Sequence, residues 1–409
     1  MKYRKKDNIK KITIIGSGPL GTALAVVAAE NYPHADIVIF SHEKSVTLQI
    51  NNMHTNINFV PDYILPKNIS AVSTIDAAVE NTQLVLITVP SKSIIQTLND
   101  ICSAIDVSSS VIFAYFTKGF VMNTDGWSVI SDVIKTSYHD YEDKFVSVYG
   151  PCHPIELIQR KHTIFQAFSV KQENTDFVIE ILSNDFLHFY KASNVRAMEF
   201  GSAVKNVLAI AAGILSMLPA CGENISGVLF AEGFKEIEQI AESIGINKSD
   251  LTGTASLGDL AATFYSFNSR NKQFGKEIFI SQNPVRGKLP LYKRFSLFIN
   301  SIISPKAADP VIQMRSLAEG AYAVKSVISI ANQHYLIVPI FRALHDIITG
   351  RKRSEFLLQV IINPETYYRD TFDKDRHIVL SNTGIAGKIV RFIKGIFNFT
   401  LEFILGIFR

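Results

Sequence analysis

The sequence predicts an α/β fold in which an N-terminal parallel-sheet domain is followed by an all-helical domain and a separate C-terminal amphipathic helix. Three observations carry this expectation. Short β-rich apolar runs alternate with helical patterns through the first half of the chain, the order that a parallel sheet with crossover helices requires. Beyond about residue 194 the apolar residues recur at helical spacing. A glycine-rich turn, Gly16-Ser17-Gly18-Pro19-Leu20-Gly21, joins the first apolar run to an alanine-rich stretch.

The expected strands are "KITII" (11–15), "ADIVIF" (35–40), "LVLITV" (84–89), "SSVIFAYF" (109–116), "KFVSVY" (144–149) and "TIFQAFS" (163–169). The expected helices of the second half are "AVKNVLAIAAGILSML", "GFKEIEQIAESIG", "EGAYAVKSVISIANQ" and "FRALHDIITG". We place the domains at 1–193, 194–362 (with an insertion at about 283–310) and a tail at 363–409 whose helix covers about 385–409.

A chain of 409 residues has room for two or three domains of about 150 residues each. The net charge of +4 is small, and no basic block interleaves with aromatics, so nucleic acid is not an expected partner. Cys102, Cys152 and Cys221 are widely spaced and odd in number, which fits a reducing compartment and no metal site. The basic opening "MKYRKKDNIKK" before an apolar run has the charge layout of a secretory signal. Gly16, Gly18, Pro19 and Gly21 break that run, so the expected location is the cytoplasm.

The glycine turn has the context that gives GxGxxG meaning, a buried-type strand before it and a helix after it. Gly16 permits the tight turn, Gly18 lets the backbone approach a pyrophosphate, and Gly21 lets helix and strand pack closely. Free N–H groups at the helix start favour the negative charge. The first domain is therefore expected to be a Rossmann-type unit holding NAD or NADP. The second strand ends in Phe40-Ser41-His42-Glu43. Glu43 suits ribose hydroxyls, whereas Ser41 and His42 suit a 2′-phosphate, so both cofactors stay open.

Lys118, in "YFTKGF", follows an expected strand at the carboxyl edge where α/β proteins place ligands. Lys205 and Asn206 interrupt an otherwise apolar helix. A lysine so surrounded either loses hydration, which brings proton transfer nearer neutral pH, or extends its ammonium group to water. Asp259, in "SLGDL", is a partner for such a lysine, and Ser269-Arg270-Asn271 offers a guanidinium fork suited to phosphate.

Together and in this order, GSGPLGTALA, VPSKS, TKGF, GPCHPIE, GSAVKNVLAIAAG, LGDL, NSRNKQFG and LAEGAYA resemble NAD(P)-dependent glycerol-3-phosphate dehydrogenase of the bacterial biosynthetic type. The resemblance spans roughly residues 10 to 360. It implies reversible reduction of dihydroxyacetone phosphate to sn-glycerol 3-phosphate for glycerophospholipid synthesis, in a homodimer. It further implies that Lys205 handles the proton at the substrate C2 oxygen, with Lys118 and Asp259 as its catalytic partners. Gly150, Cys152, Ser269, Arg270 and Asn271 fall on its substrate positions. Pro19, Leu20, His42, Pro154, Leu317 and Glu319 fall on its cofactor positions, with Lys118 and Arg270 shared between the two. Three positions depart from the family pattern: Cys152 stands where Ser or Thr is usual, Ile155 where Lys is common, and no arginine lies near Glu232.

Two segments lie outside the resemblance. Residues 283–310 mix Arg286, Lys288, Lys293 and Arg294 with Phe295 and Phe298. In residues 384–409, Lys388, Arg391, Lys394, Asn398, Glu402 and Arg409 gather on one helix face, opposite a wide arc that includes Phe392, Ile396 and Phe403. That pattern suits a helix lying in a membrane interface, and equally one packed on the protein's own body or across a dimer. Two competing functions follow from the same motifs: another two-domain reductase, such as a ketopantoate reductase-like enzyme, and a non-catalytic membrane-associated dinucleotide sensor. Phosphate recognition by Arg270 separates the first from the family reading, and turnover separates the second.

Overall fold

The computed structural model describes residues 9–123, 126–267, 269–282 and 319–368. The insertion at 283–310, Leu317 and the tail helix lie outside these residues. The first half is an eight-stranded sheet made of β1 (Lys11–Ile15), β2 (Asp36–Phe40), β3 (Ile69–Val72), β4 (Leu84–Ile87), β5 (Ile112–Tyr115), β8 (Phe145–Tyr149), β9 (Thr163–Phe168) and β10 (Leu187–Lys191), in the order β10-β9-β8-β5-β4-β1-β2-β3. A separate hairpin pairs β6 (Val121–Asn123) with β7 (Gly126–Ser128).

Strand β1 shows why the sheet forms. Ile12, Thr13, Ile14 and Ile15 are all fully buried, the near-continuous apolar run of a strand covered on both faces. On one face, Ile12 and Ile14 join a cluster with α1 (Pro19–Asn31), α2 (Lys44–Met53), α6 (Pro154–Ile158) and α7 (Gln172–Leu182). On the other face, Ile15 joins α3 (Ile75–Val79), α4 (Ser91–Ala104) and α5 (Ile130–Ser137). The buried polar residue of the strand, Thr13, donates its hydroxyl to the Ala78 carbonyl at 2.7 Å, which removes the penalty of burying it.

Two findings differ from the expectation. The sheet is parallel except between β8 and β9, which run antiparallel. The strands β3 and β10 and the hairpin lie outside the expected set. The first two are the outer strands of the sheet, and β10 ends in half-buried or exposed His188, Phe189, Tyr190 and Lys191, so neither shows the unbroken apolar run of the inner strands.

The second half is built around α8 (Val195–Leu215), capped by Asn194, whose side chain accepts from the Ala197 N–H. Every residue from Ala197 to Leu215 is buried. Around it stand α9 (Glu223–Ser243), α10 (Asp259–Tyr265), α11 (Arg270–Gln282), α12 (Glu319–Gln333), α13 (Pro339–Ile348) and α14 (Glu355–Ile362). Among the described residues α8 is the one helix long and apolar enough to cross a membrane, yet it is wholly enclosed by its neighbours, as a core helix is. The helices α8 and α11 cross at Gly213 and Gly275: a Cβ on Gly213 would strike the Lys272 carbonyl, and one on Gly275 the Ile210 carbonyl.

Candidate active site

At the carboxyl end of β1 the chain turns through Gly16, whose φ of +115° lies where side chains are strained. The turn is laced from below. The Gly16 N–H donates to the Phe40 carbonyl at 3.2 Å, and the Ser17 and Ser41 hydroxyls are 2.8 Å apart. Asn56 donates to the Ser17 carbonyl at 2.9 Å and to the Thr22 hydroxyl at 2.8 Å. A Cβ on Gly21 would collide with the Gly16 carbonyl, whereas one on Gly18 would meet nothing within 4 Å. Gly21 therefore serves packing, and Gly18 borders open space at the start of α1. Pro19 opens that helix without an N–H to lose, and the N–H groups of Leu20 and Gly21 lie in its first turn, beyond the reach of the helical ladder. This is a fitting seat for a pyrophosphate.

His42, beside Ser41, and Pro154 are two more of the expected cofactor positions. Ser41 is buried against Ser17, while the His42 side chain is 84% exposed at the end of β2, 4.0 Å from Glu43. Ser41 is thus committed to the turn, and His42 and Glu43 face solvent. Pro154 begins α6, and both Leu20 and Cys152 border the apolar cluster that α6 shares with α1.

The chemistry-bearing groups meet where β5 faces the helical half. Asp259 is the first residue of α10, reached through a π-helical turn over Thr254–Gly258. One of its oxygens accepts from Lys205 Nζ at 2.5 Å and the other from Lys118 Nζ at 2.8 Å. Lys118 also donates to the Gly150 carbonyl at 2.9 Å, and Lys205 to the Thr263 hydroxyl at 2.9 Å. The carboxylate is 2% exposed and the lysine side chains 16% and 7%, so one buried charge serves two cations. Burial, aided by the neighbouring Lys118 charge, lowers Lys205 to about 8 against the opposing pull of Asp259. For Lys118 burial also pulls down, but the charge and hydrogen bond of Asp259 carry the net shift upward. Burial pushes the Cys152 thiol up to about 12, which keeps it neutral.

A second polar chain flanks the lysines. Asn206 donates to Glu319 at 3.2 Å and accepts from Asn271 at 2.9 Å, and Asn271 in turn accepts from the Gly320 N–H at 3.0 Å. This chain ties α8, α11 and α12 together beside Lys205. Ser269 is buried and its hydroxyl accepts from the Lys272 N–H at 3.3 Å. Arg270 is exposed and makes no ion pair with a described residue. It stands at the start of α11, next to Asn271 and open to an incoming anion.

Of the expected residues, Lys118, Gly150, Lys205 and Asp259 are joined by direct contacts. Asn271 and Glu319 are joined through Asn206, and Arg270 and His42 stand apart at the margins. Sequence reasoning missed Thr263 and the lacing by Asn56. The spacing of Asp259 and Thr263, four positions on one helix face, was the available signal for the former.

A dinucleotide-type glycine turn on a mostly parallel sheet, facing a helical domain that presents a lysine-bound carboxylate, defines a two-domain NAD(P)-dependent dehydrogenase. The chain belongs to the NAD-dependent glycerol-3-phosphate dehydrogenase family, whose N-terminus matches residues 11–175 and whose C-terminus matches residues 194–359. It is 29% identical over 342 residues to glycerol-3-phosphate dehydrogenase [NAD(P)+] of Lactobacillus helveticus, covering 83% of this chain and 92% of that one. It is 29% identical over 361 residues to the enzyme of the same name from Bacillus pumilus, covering 88% and 96%. The fold matches the crystal structure of glycerol-3-phosphate dehydrogenase from Coxiella burnetii with a TM-score of 0.70 at 24% identity, over 87% of this chain and 99% of that one.

Proposed function

We propose that this protein interconverts dihydroxyacetone phosphate and sn-glycerol 3-phosphate with NAD(P)H, and that Lys205 exchanges the proton at the substrate C2 oxygen. The observation that carries the residue assignment is the shared carboxylate: Asp259 holds the Lys205 and Lys118 ammonium groups at 2.5 and 2.8 Å in a buried setting. A nicotinamide dinucleotide seated on the glycine turn would supply or take the hydride. As the carbonyl becomes an alcohol, negative charge develops on its oxygen, and a desolvated ammonium group is suited to neutralise it by giving up a proton. Asp259 keeps that ammonium in place, and the Thr263 hydroxyl fixes a second direction of its hydrogen bonding. Lys118, held between Asp259 and Gly150, orients the substrate from the sheet side. Arg270 grips the phosphate with its planar fork, with Ser269 and Asn271 beside it.

The test is oxidation of NADH and of NADPH with dihydroxyacetone phosphate, by the wild type and by Lys205→Met. The wild type turns over and the variant loses about 100- to 10,000-fold in kcat, the usual range for a lost general acid. A Lys205→Met enzyme of full activity overturns the proton assignment. A wild type that binds NADH without turning over overturns the reaction and favours the dinucleotide sensor.

The same reading places the enzyme in the cytoplasm as a homodimer supplying the glycerol backbone of phospholipids. It also assigns the tail helix at about 385–409 to peripheral contact with the inner membrane face. Sedimentation tests the dimer. Cell fractionation of a chain truncated from residue 384 tests the contact, and equal partitioning of the truncated and full-length proteins refutes it.

A further inference from the structure

Helix α8 carries a second buried ionisable side chain. Glu199 is 3% exposed and lies six residues before Lys205. Among the described residues, the donors to its carboxylate come from the sheet domain. Tyr115, the last residue of β5, donates its hydroxyl at 2.8 Å. Ser131, in the first turn of α5, donates its N–H to both oxygens at 3.1 Å and its hydroxyl at 2.5 Å. Arg196, on the same helix, is taken by Asp132 at 3.2 Å instead. Glu199 is therefore satisfied by neutral donors of the opposite domain, an arrangement whose strength depends on geometry.

The same donors lead to Lys118. The Tyr115 ring packs edge-on against Tyr149, centroids 6.1 Å apart. The Tyr149 hydroxyl donates to the Thr117 carbonyl at 2.7 Å. Thr117 precedes Lys118, and Gly150, which follows Tyr149, accepts the Lys118 ammonium at 2.9 Å. The helix that bears Lys205 is thus joined through Glu199 to both strand ends that hold Lys118.

We propose that Glu199 is a positioning residue that fixes the β5 end carrying Lys118 against α8 carrying Lys205, at the spacing that lets both lysines share Asp259. This rests on the roles given to the two lysines above. A merely structural carboxylate would affect stability and cofactor binding alongside activity. A positioning carboxylate acts through Lys118, hence mainly on the substrate half-reaction, because the glycine turn lies on the far side of β4.

The experiment compares the full-length wild type with Glu199→Gln and Tyr115→Phe. Lys118 reactivity is followed by reductive methylation with peptide mass spectrometry, which needs no turnover. NADH affinity, thermal midpoint and kcat/KM for dihydroxyacetone phosphate are measured beside it. In Glu199→Gln, Lys118 is methylated about fivefold faster, as loss of a charge-assisted hydrogen bond allows. Its kcat/KM falls about 10- to 100-fold, the scale of a displaced catalytic group, while NADH affinity, in which Lys118 has only a share, falls by less. Tyr115→Phe shifts both in the same direction by less. Unchanged Lys118 methylation in both variants overturns the proposal, as does NADH affinity falling in step with kcat/KM. If Glu199→Gln does not fold, Tyr115→Phe decides. If the wild type fails to reduce dihydroxyacetone phosphate, the functional reading falls while Lys118 methylation still decides the positioning.

Discussion

Replacing Asp259 by Asn removes the negative charge that Lys118 and Lys205 share while keeping the side chain's shape. In the wild type that charge is 2.8 and 2.5 Å from the two ammonium groups, and it offsets the burial that lowers Lys205 to about 8. Removing one partner of a buried pair costs about 3–5 kcal/mol, and one pKa unit corresponds to about 1.4 kcal/mol. If Lys205 takes up half of the smaller figure, its pKa falls by about one unit, to near neutrality. The sign follows from the chemistry. With the proton role proposed for Lys205, reduction needs it protonated, so kcat/KM for dihydroxyacetone phosphate is expected to decline as pH rises through about 8 in the wild type. Oxidation of glycerol 3-phosphate needs Lys205 neutral and climbs through the same point. In Asp259→Asn both limbs move about one unit toward acid, on top of a lower plateau. The assay is the pH profile of kcat/KM in each direction. A variant whose midpoint is unchanged, or lies at higher pH, refutes the assignment of that limb to a Lys205 held by Asp259.

Four further outcomes are expected. Gly18→Ala leaves the thermal midpoint unchanged but weakens NADH binding in a fluorescence titration, because its methyl meets no protein atom. Gly21→Ala instead loses about 1–3 kcal/mol of stability from overpacking, read as a lower urea midpoint. Arg270→Leu raises KM for dihydroxyacetone phosphate by about 10- to 100-fold, the worth of hydrogen bonds to a charged group, without changing the thermal midpoint, since Arg270 is exposed. Glu236 is pushed up to about 8 by burial, against the pull of the Ile340 and Phe341 N–H groups. The folded state therefore holds a proton there that the unfolded state sheds near pH 4.5. Wild-type stability from this group falls as pH rises through that window, and Glu236→Gln flattens the decline in a pH series of melting temperatures.

The features legible in the sequence are those set by neighbours along the chain. The glycine turn was visible because strand, glycines and helix are contiguous, and α8 because an apolar run of helical period surrounds Lys205 and Asn206. The six expected strands are inner ones, and runs such as "LVLI" are buried throughout. What escaped depends on distant partners. Lys118 and Asp259 are 141 positions apart, and nothing local to "TKGF" points to the carboxylate it meets. The antiparallel turn of β9 against β8 leaves no mark in either strand's composition. Glu199 drew no reading from the sequence, because its donors, Tyr115 and Ser131, lie 84 and 68 positions away.

The glycine contact between α8 and α11 has a consequence for the proposed site. With Gly213 and Gly275 backbone to backbone, the two helices cannot slide or separate without losing that interlock, so the helix that bears Lys205 and the helix that begins at Arg270 move as one piece. Even a single methyl at the crossing would have to wedge them apart, and both ends of the proposed substrate site would feel it.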